Sequence, residues 1–324
     1  MINKFKTNNS WEEIIIVGYG NHAKTKIIPA IQKTCSGKIS ILTNKEIDTK
    51  NFLKYTSLYE SFKGNLNKLF VLTNPPSMHY FFCNEILTNG FDVFVEKPAF
   101  LRKNEFKNLT CLAKSKNLII YEMLMYLENQ TVRKAIKIIN SKKEDVHSIF
   151  ASFTIPSYPL NTYRNEKDFA NSLITDIGCY PISFINELNY KVQNIKINNY
   201  YKSIDKNPLF EIKFNINNIK IDSLVGVTKI YTNFLRIIFK NNNFIEIDPF
   251  FYGRSFKKNL NVFSNNEIKK FLKEDDNAFE KIFSMKREVF LLNQESRFKK
   301  MNKTISLFEK LEKQWLNIKN NNFS

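Results

Sequence analysis

What this chain of 324 residues lacks narrows its class first. No apolar run approaches the roughly 20 residues that a membrane-spanning helix needs, so no membrane partner is expected. The opening stretch MINKFKTNNSWEE is polar and lacks the apolar core of a secretion signal, which points to the cytoplasm. Cysteine is scarce. Cys35, Cys83, Cys111 and Cys179 stand apart with no Cys-x-x-Cys pair, which excludes a disulfide frame and a zinc ribbon. The three histidines are widely separated, so no metal centre is expected. Acidic residues are also short, 31 against 49 Lys and Arg, leaving a formal charge of +18. The lysines are dispersed, whereas a nucleic-acid footprint should cluster, so nucleic acid is not expected as a partner. The surplus reads as compositional bias, and such a surface would also attract an anionic cofactor or substrate.

What is present is an alternation. Apolar runs at Glu13–Val17, Lys38–Leu42, Leu69–Leu72, Phe91–Val95 and Asn117–Tyr121 read as strands. Between them, His22–Lys33, Lys50–Phe62, Met78–Thr88 and Lys103–Lys114 read as helices. Short apolar strands separated by helices predict a parallel sheet covered on both faces, whose ligands bind beyond the carboxyl ends of the strands. Residues 1–122 are therefore predicted to form a dinucleotide-binding Rossmann domain. The pattern then changes. After helix Asn129–Asn140, strand His147–Thr154 and helix Thr175–Leu188, strands follow in succession from Val192 to Ile247. Residues 123–324 are predicted to form an α+β domain with a mostly antiparallel open sheet. Phe234, Phe239, Phe244, Phe250, Phe251 and Tyr252 suit either a face buried between copies or the domain's own core. The tail, Asp276–Lys319, reads as helix, with Leu307, Leu311 and Trp315 four apart.

The first strand runs into Gly18-Tyr19-Gly20-Asn21-His22-Ala23. The first glycine permits a tight turn and the second lets the backbone approach a pyrophosphate. The small third residue lets the helix pack on the strand. At the end of the second strand stand Thr43, Asn44 and Lys45. No acid is there to grip a ribose 2′-hydroxyl, so NADP(H) is favoured over NAD(H), with Lys45 facing the extra phosphate. The competing reading of Lys45 is one more solvated lysine.

Two later segments carry the chemistry: TNPPSMH from Thr73 to His79, and Glu96-Lys97-Pro98 after a strand. A third, Asp176-Ile177-Gly178-Cys179-Tyr180-Pro181, lies in the second domain. In this order the motifs resemble the Gfo/Idh/MocA oxidoreductases, in the branch with tyrosine where most members have histidine. The resemblance spans most of the chain. It implies that Thr73, Asn74, Pro75, His79 and Glu96 line the cofactor, and that Lys97 lies near nicotinamide and substrate. It also implies that Tyr180 and Asp176 act on a sugar, sugar-nucleotide or related polyol or keto substrate, and that residues 123–324 bind substrate and pair their sheet face into a homo-oligomer. The chemistry agrees: reducing a ketone builds negative charge on its oxygen, a tyrosine can protonate it, and a nearby ammonium stabilises phenolate over phenol. Asp176 and Tyr180, four apart, would share one face of a helix. Asp176 would also serve as a helix N-cap. Pro98 suits a cis bond.

The pattern is broken in places. Where a Gly-Gly pair is common before the third motif the stretch reads Asn171-Ser172-Leu173-Ile174-Thr175, and an Arg–aromatic–His run is replaced by Met125-Tyr126-Leu127-Glu128-Asn129. Tyr126, Tyr163 and Arg164 remain as candidate substrate contacts, with a surface ion pair as the other reading of Arg164. These losses keep a second function in view, a cofactor-binding scaffold protein of carbohydrate biosynthesis with little or no turnover.

Overall fold

The computed structural model describes residues 11–47, 51–156, 173–188, 190–202, 208–216, 219–251, 257–274 and 277–323. Tyr163, Arg164, Asn171, Ser172 and Tyr252 lie outside the described residues. The chain divides into two compact units, residues 1–124 with 279–299, and residues 125–278 with 300–324.

The first unit is built on six parallel strands, β1 (Glu13–Val17), β2 (Lys38–Leu42), β3 (Leu53–Tyr55), β4 (Lys68–Leu72), β5 (Asp92–Glu96) and β6 (Ile120–Met123). Their order is β3-β2-β1-β4-β5-β6, with the chain reversing between β1 and β4. Ile14, Ile15, Ile16, Phe70, Val71, Val93, Phe94 and Val95 are all fully buried, as strands covered on both faces should be. A π-helical turn (Ala23–Ile27) leads into α1 (Ile28–Thr34). Helices α3 (Pro76–Thr88) and α4 (Lys103–Ser115) follow β4 and β5. The helix expected over Lys50–Phe62 is not formed: β3 pairs with β2, and only α2 (Leu58–Ser61) is helical. Strand pairing wins because it carries the Tyr55 hydroxyl to Glu13 Oε1, 3.1 Å away.

Residues 279–299, expected in the second domain, belong to the first unit. They comprise most of α8 (Ala278–Ser284) and the start of α9 (Arg287–Phe323). Asp92 explains their attachment. It is 3% exposed and accepts from Arg287 Nε (2.7 Å) and Nη2 (3.0 Å), from Trp11 Nε1 (2.9 Å) and from the Ile119 amide (2.9 Å). Removing one partner from such a network strands the others. Asp92→Ala is expected to lower unfolding free energy by about 3 kcal/mol, measured by urea denaturation; a loss under about 1 kcal/mol would show the network to be ornamental.

The second unit holds eight strands: β7 (Val146–Ile155), β8 (Val192–Lys202), β9 (Pro208–Ile216), β10 (Ile219–Val227), β11 (Thr232–Phe239), β12 (Phe244–Asp248), β13 (Lys257–Ser264) and β14 (Glu267–Glu274). Their order is β14-β13-β12-β11-β7-β10-β9-β8, antiparallel except where β10 lies parallel to β7. Helices α5 (Gln130–Ser141), α6 (Leu173–Asp176) and α7 (Cys179–Glu187) complete it with the rest of α9. The β13–β14 hairpin went unpredicted. It turns on Asn265 (φ 51°) and Asn266 (φ 62°), a pair suited to two consecutive left-handed residues. The late aromatic residues divide. Phe250 and Phe251 are in the core of this unit, whereas Phe234 and Phe244 are partly exposed and meet Phe150 and Phe263 at 5.7 and 5.2 Å.

Candidate active site

In the first unit, residues from three loops meet at the carboxyl ends of β1, β4 and β5. Gly18 has φ +92°, and a Cβ on it would stand 3.2 Å from the Asn74 amide nitrogen and 3.3 Å from Thr73 Oγ1. The glycine is thus required by both conformation and space. Thr73 ties the loops together, its hydroxyl bonding the carbonyls of Val17 (3.1 Å) and Gly18 (3.0 Å). Gly20 differs. No protein atom lies within 4 Å of where its Cβ would stand. The packing of the protein does not require a glycine there, whereas a ligand approaching the backbone would. Tyr19 and Asn21 flank it, and Lys24 Nζ stands 4.4 Å over the Tyr19 ring.

Asn74 supplies a second sign. Both polar atoms of its side chain are buried with no hydrogen-bond partner, and a buried amide without partners is costly. A dinucleotide would satisfy both features: a backbone open at Gly20 for a pyrophosphate and an unpaired amide at Asn74 for a polar edge.

Other expected cofactor contacts also make hydrogen bonds within the protein. His22 Nε2 lies 2.8 Å from Glu96 Oε1, so these two fasten the start of the glycine-loop helix to the end of β5. Burial pushes the Glu96 carboxyl up, but His22, Lys97 and Lys26 outweigh it and hold the group below its usual value. His79 is 1% exposed, with Nδ1 3.0 Å from the Ala99 carbonyl and Nε2 2.9 Å from that of Asn74. Burial lowers its pKa, and a neutral ring donates to only one carbonyl at a time. It binds the loop after β4 to the segment after β5. Thr43 is 9% exposed and its hydroxyl accepts from the Lys45 amide at 3.2 Å, which turns the chain so that Asn44 and Lys45 are exposed.

Lys97 follows β5, half-buried, and the Lys97–Pro98 bond is cis as expected. Sequence reasoning missed Glu122, on β6. Its Oε1 accepts from the Ala99 amide at 3.0 Å. Its carboxyl is pushed up to about 7, chiefly by burial and also by Glu96, against the Ala99 amide and the Lys97 charge, which lower it. The signal was an acid inside an apolar strand.

In the second unit, Tyr180 stands in a collar of rings. Phe153 meets it edge-on at 4.7 Å, Tyr126 at 5.6 Å and Phe251 at 5.7 Å. Its hydroxyl lies 3.9 Å from Met125 Sδ. Tyr126, expected to touch substrate, is fully buried; its hydroxyl donates to the Tyr180 carbonyl (3.1 Å) and meets Ser183 Oγ (2.8 Å). It supports Tyr180 from below. Asp176, 7% exposed, ends α6, while Tyr180 lies in α7. The two do not share one helix, and Asp176 is not the N-cap of α7, a place taken by Gly178. Gly178 permits the tight turn between them: a Cβ there would stand 2.3 Å from the Ile174 carbonyl oxygen. Among the described residues there is no cluster of His, Cys, Asp and Glu able to hold a metal, and no helix is long and apolar enough to cross a membrane.

A parallel sheet in this order, with a glycine turn kept open at the switch of strand direction, is the arrangement of a Rossmann unit, and the chain adds to it a second unit with a mostly antiparallel sheet. Residues 13–124 match the model of the Gfo/Idh/MocA oxidoreductase family, described as having an NAD-binding Rossmann fold. The chain is 24% identical over 178 residues to a dTDP-3,4-didehydro-2,6-dideoxy-α-D-glucose 3-reductase of Actinomadura kijaniata, covering 52% of this chain and 53% of that one. It is 29% identical over 111 residues to the Streptomyces antibioticus enzyme of the same name, covering 33% of each. The chain thus matches about half the length of these relatives or less. Among solved structures, a 3-ketoreductase from Actinomadura kijaniata in complex with NADP and TDP-benzene superposes with a TM-score of 0.79 at 16% identity, over 93% of this chain and 97% of the other. Structures of that enzyme include a tyrosine-to-phenylalanine and a lysine-to-alanine mutant. An aldose–aldose oxidoreductase from Caulobacter crescentus superposes with a TM-score of 0.76 at 12% identity, over 94% and 97%. At these identities the likeness shows the fold.

Proposed function

We propose that this protein is an NADP(H)-dependent reductase of a keto sugar carried on a nucleotide. The observation that carries the reading is the open cradle at Gly20 beside the unpaired Asn74 amide, in a chain whose matched relatives are dTDP-keto-sugar 3-reductases. When bound, the reduced nicotinamide supplies a hydride. Tyr180 donates the proton to the carbonyl oxygen as negative charge develops there, and Lys97 stabilises that charge. Asp176 orients the sugar hydroxyls. The aromatic collar fixes the Tyr180 ring and keeps water from its sides. Titrating the protein with NADPH and NADH, followed by nicotinamide fluorescence, tests the cofactor half of this reading. Binding of neither overturns it.

Lys45 makes the cofactor choice. It is exposed just beyond β2, with Thr43 and Asn44 before it and no acid at the strand end. Lys45→Asp is expected to weaken NADPH by about tenfold and to favour NADH, because a carboxylate repels the 2′-phosphate and accepts from a 2′-hydroxyl. An unchanged preference removes Lys45 from the cofactor site.

The protein acts as a homo-oligomer, paired through the sheet face that bears Phe234, Phe244 and Phe263. Ile268 and Leu272 on β14 are 55% and 58% exposed and extend that apolar surface. A monomer mass at micromolar concentration contradicts this.

A further inference from the structure

The pleat of the first unit sorts the charged groups at its carboxyl edge. Phe94 and Tyr121 pack together at 5.1 Å, and both meet Phe290, so they share one sheet face. Glu96 belongs to that face by alternation, and there it takes His22. Val95 and Glu122 are partners in register and lie on the opposite face. Alternation carried one residue past β5 places Lys97 on the face of Glu122. Glu122 also fixes the backbone after Lys97, since its Oε1 holds the Ala99 amide at 3.0 Å.

We propose that Glu122 is a positioning residue of the active site: its carboxylate secures the Lys97 ammonium and the backbone that follows it, so that the charge on Glu122 governs how firmly Lys97 keeps its proton. This rests on the reading of Lys97 as the active-site cation. The charged groups whose fields reach Glu122 are Lys97 and Glu96, both at the end of β5; neighbouring His79 on α3 meets only carbonyl groups, and burial lowers its pKa. Coupling between two sites is reciprocal. If Lys97 favours the ionised form of Glu122, then ionised Glu122 favours the protonated form of Lys97. With its midpoint at about 7, Glu122 is protonated in acid and charged in alkali. It therefore supports the ammonium most where Lys97 would otherwise lose its proton.

The test is a carboxyl titration by difference infrared spectroscopy from pH 5 to pH 9, roughly the range that brackets such a group. Wild type should show a glutamic-acid band with a midpoint near 7, absent from Glu122→Gln. Glutamine keeps the oxygen that accepts from Ala99 and removes only the charge. In Lys97→Met the midpoint should rise by about one pH unit, the usual effect of losing a nearby opposite charge. A midpoint unmoved in Lys97→Met overturns the proposal, and so does a band that persists in Glu122→Gln. Should the glutamine variant not fold, Glu122→Asp serves as the reference, because its shorter side chain displaces the band. In turnover with a dTDP-linked keto sugar, Glu122→Gln should move the alkaline limb of kcat about one pH unit towards neutrality, with the KM for NADPH within about twofold of wild type. An unmoved limb refutes the control of Lys97. Full turnover by Lys97→Met with an intact infrared coupling instead removes the catalytic role of Lys97, so the two failures are told apart.

Discussion

Tyr180→Phe should bind NADPH as wild type does and lose about 100- to 10,000-fold in turnover, the usual worth of a positioned general acid. The substitution removes one oxygen. The ring remains, with its edge contacts to Phe153, Tyr126 and Phe251, so the fold has little reason to respond. The support from Tyr126 is also kept, because it is directed at the backbone carbonyl of residue 180 and not at the phenol. A fall in kcat with an unchanged melting temperature and an unchanged Kd for NADPH is the expected result. Equal turnover in wild type and Tyr180→Phe assigns the proton to another group.

The second large effect concerns the glycine loop, where two glycines should fail in different ways. Gly20→Ala adds a methyl group that meets no protein atom. Stability should hold, while NADPH affinity falls at least about tenfold, or about 1.4 kcal/mol, because the methyl stands where the pyrophosphate approaches. Gly18→Ala strains a residue at φ +92° and crowds Thr73 and Asn74, so it should cost about 1–3 kcal/mol of stability as well as cofactor. Thermal melts and fluorescence titrations of both variants separate the two cases. Equal loss of stability in both would mean that Gly20 is held by the fold, and the cradle would lose its meaning.

The sequence made the first unit legible because its strands are short, apolar and separated by helices, and because Gly18, Gly20 and Ala23 sit where a strand becomes a helix. Edges were harder. The strand Leu53–Tyr55 has three residues and is defined by pairing with β2, which no local pattern announces. The hairpin of β13 and β14 hides in a polar stretch; β14 is exposed along its whole length, so no apolar alternation marks it. The return of residues 279–299 to the first unit depends on contacts far apart in the chain, such as Arg287 with Asp92.

The site was legible as a set of residue types and less so as a set of roles. Gly20, Asn74, Lys97 and Tyr180 stand in settings that suit the chemistry proposed for them. His22 and Glu96 bond each other, His79 bonds the backbone, and Tyr126 bonds the Tyr180 carbonyl and Ser183 beneath Tyr180. A motif names a residue without saying whether it faces a ligand or holds one that does. Glu122 shows the reverse case, an acid with no motif around it whose place beside Lys97 is visible only once β5 and β6 are aligned.

The most direct measurement of the account is the loss of reduced nicotinamide absorbance when the purified protein meets NADPH and dTDP-3,4-didehydro-2,6-dideoxy-α-D-glucose. The account predicts steady oxidation of NADPH, with formation of a reduced sugar nucleotide and near-complete loss of the reaction in Tyr180→Phe. Tight NADPH binding with no oxidation on this or other nucleotide-linked keto sugars would contradict it and would make the protein a cofactor-binding scaffold.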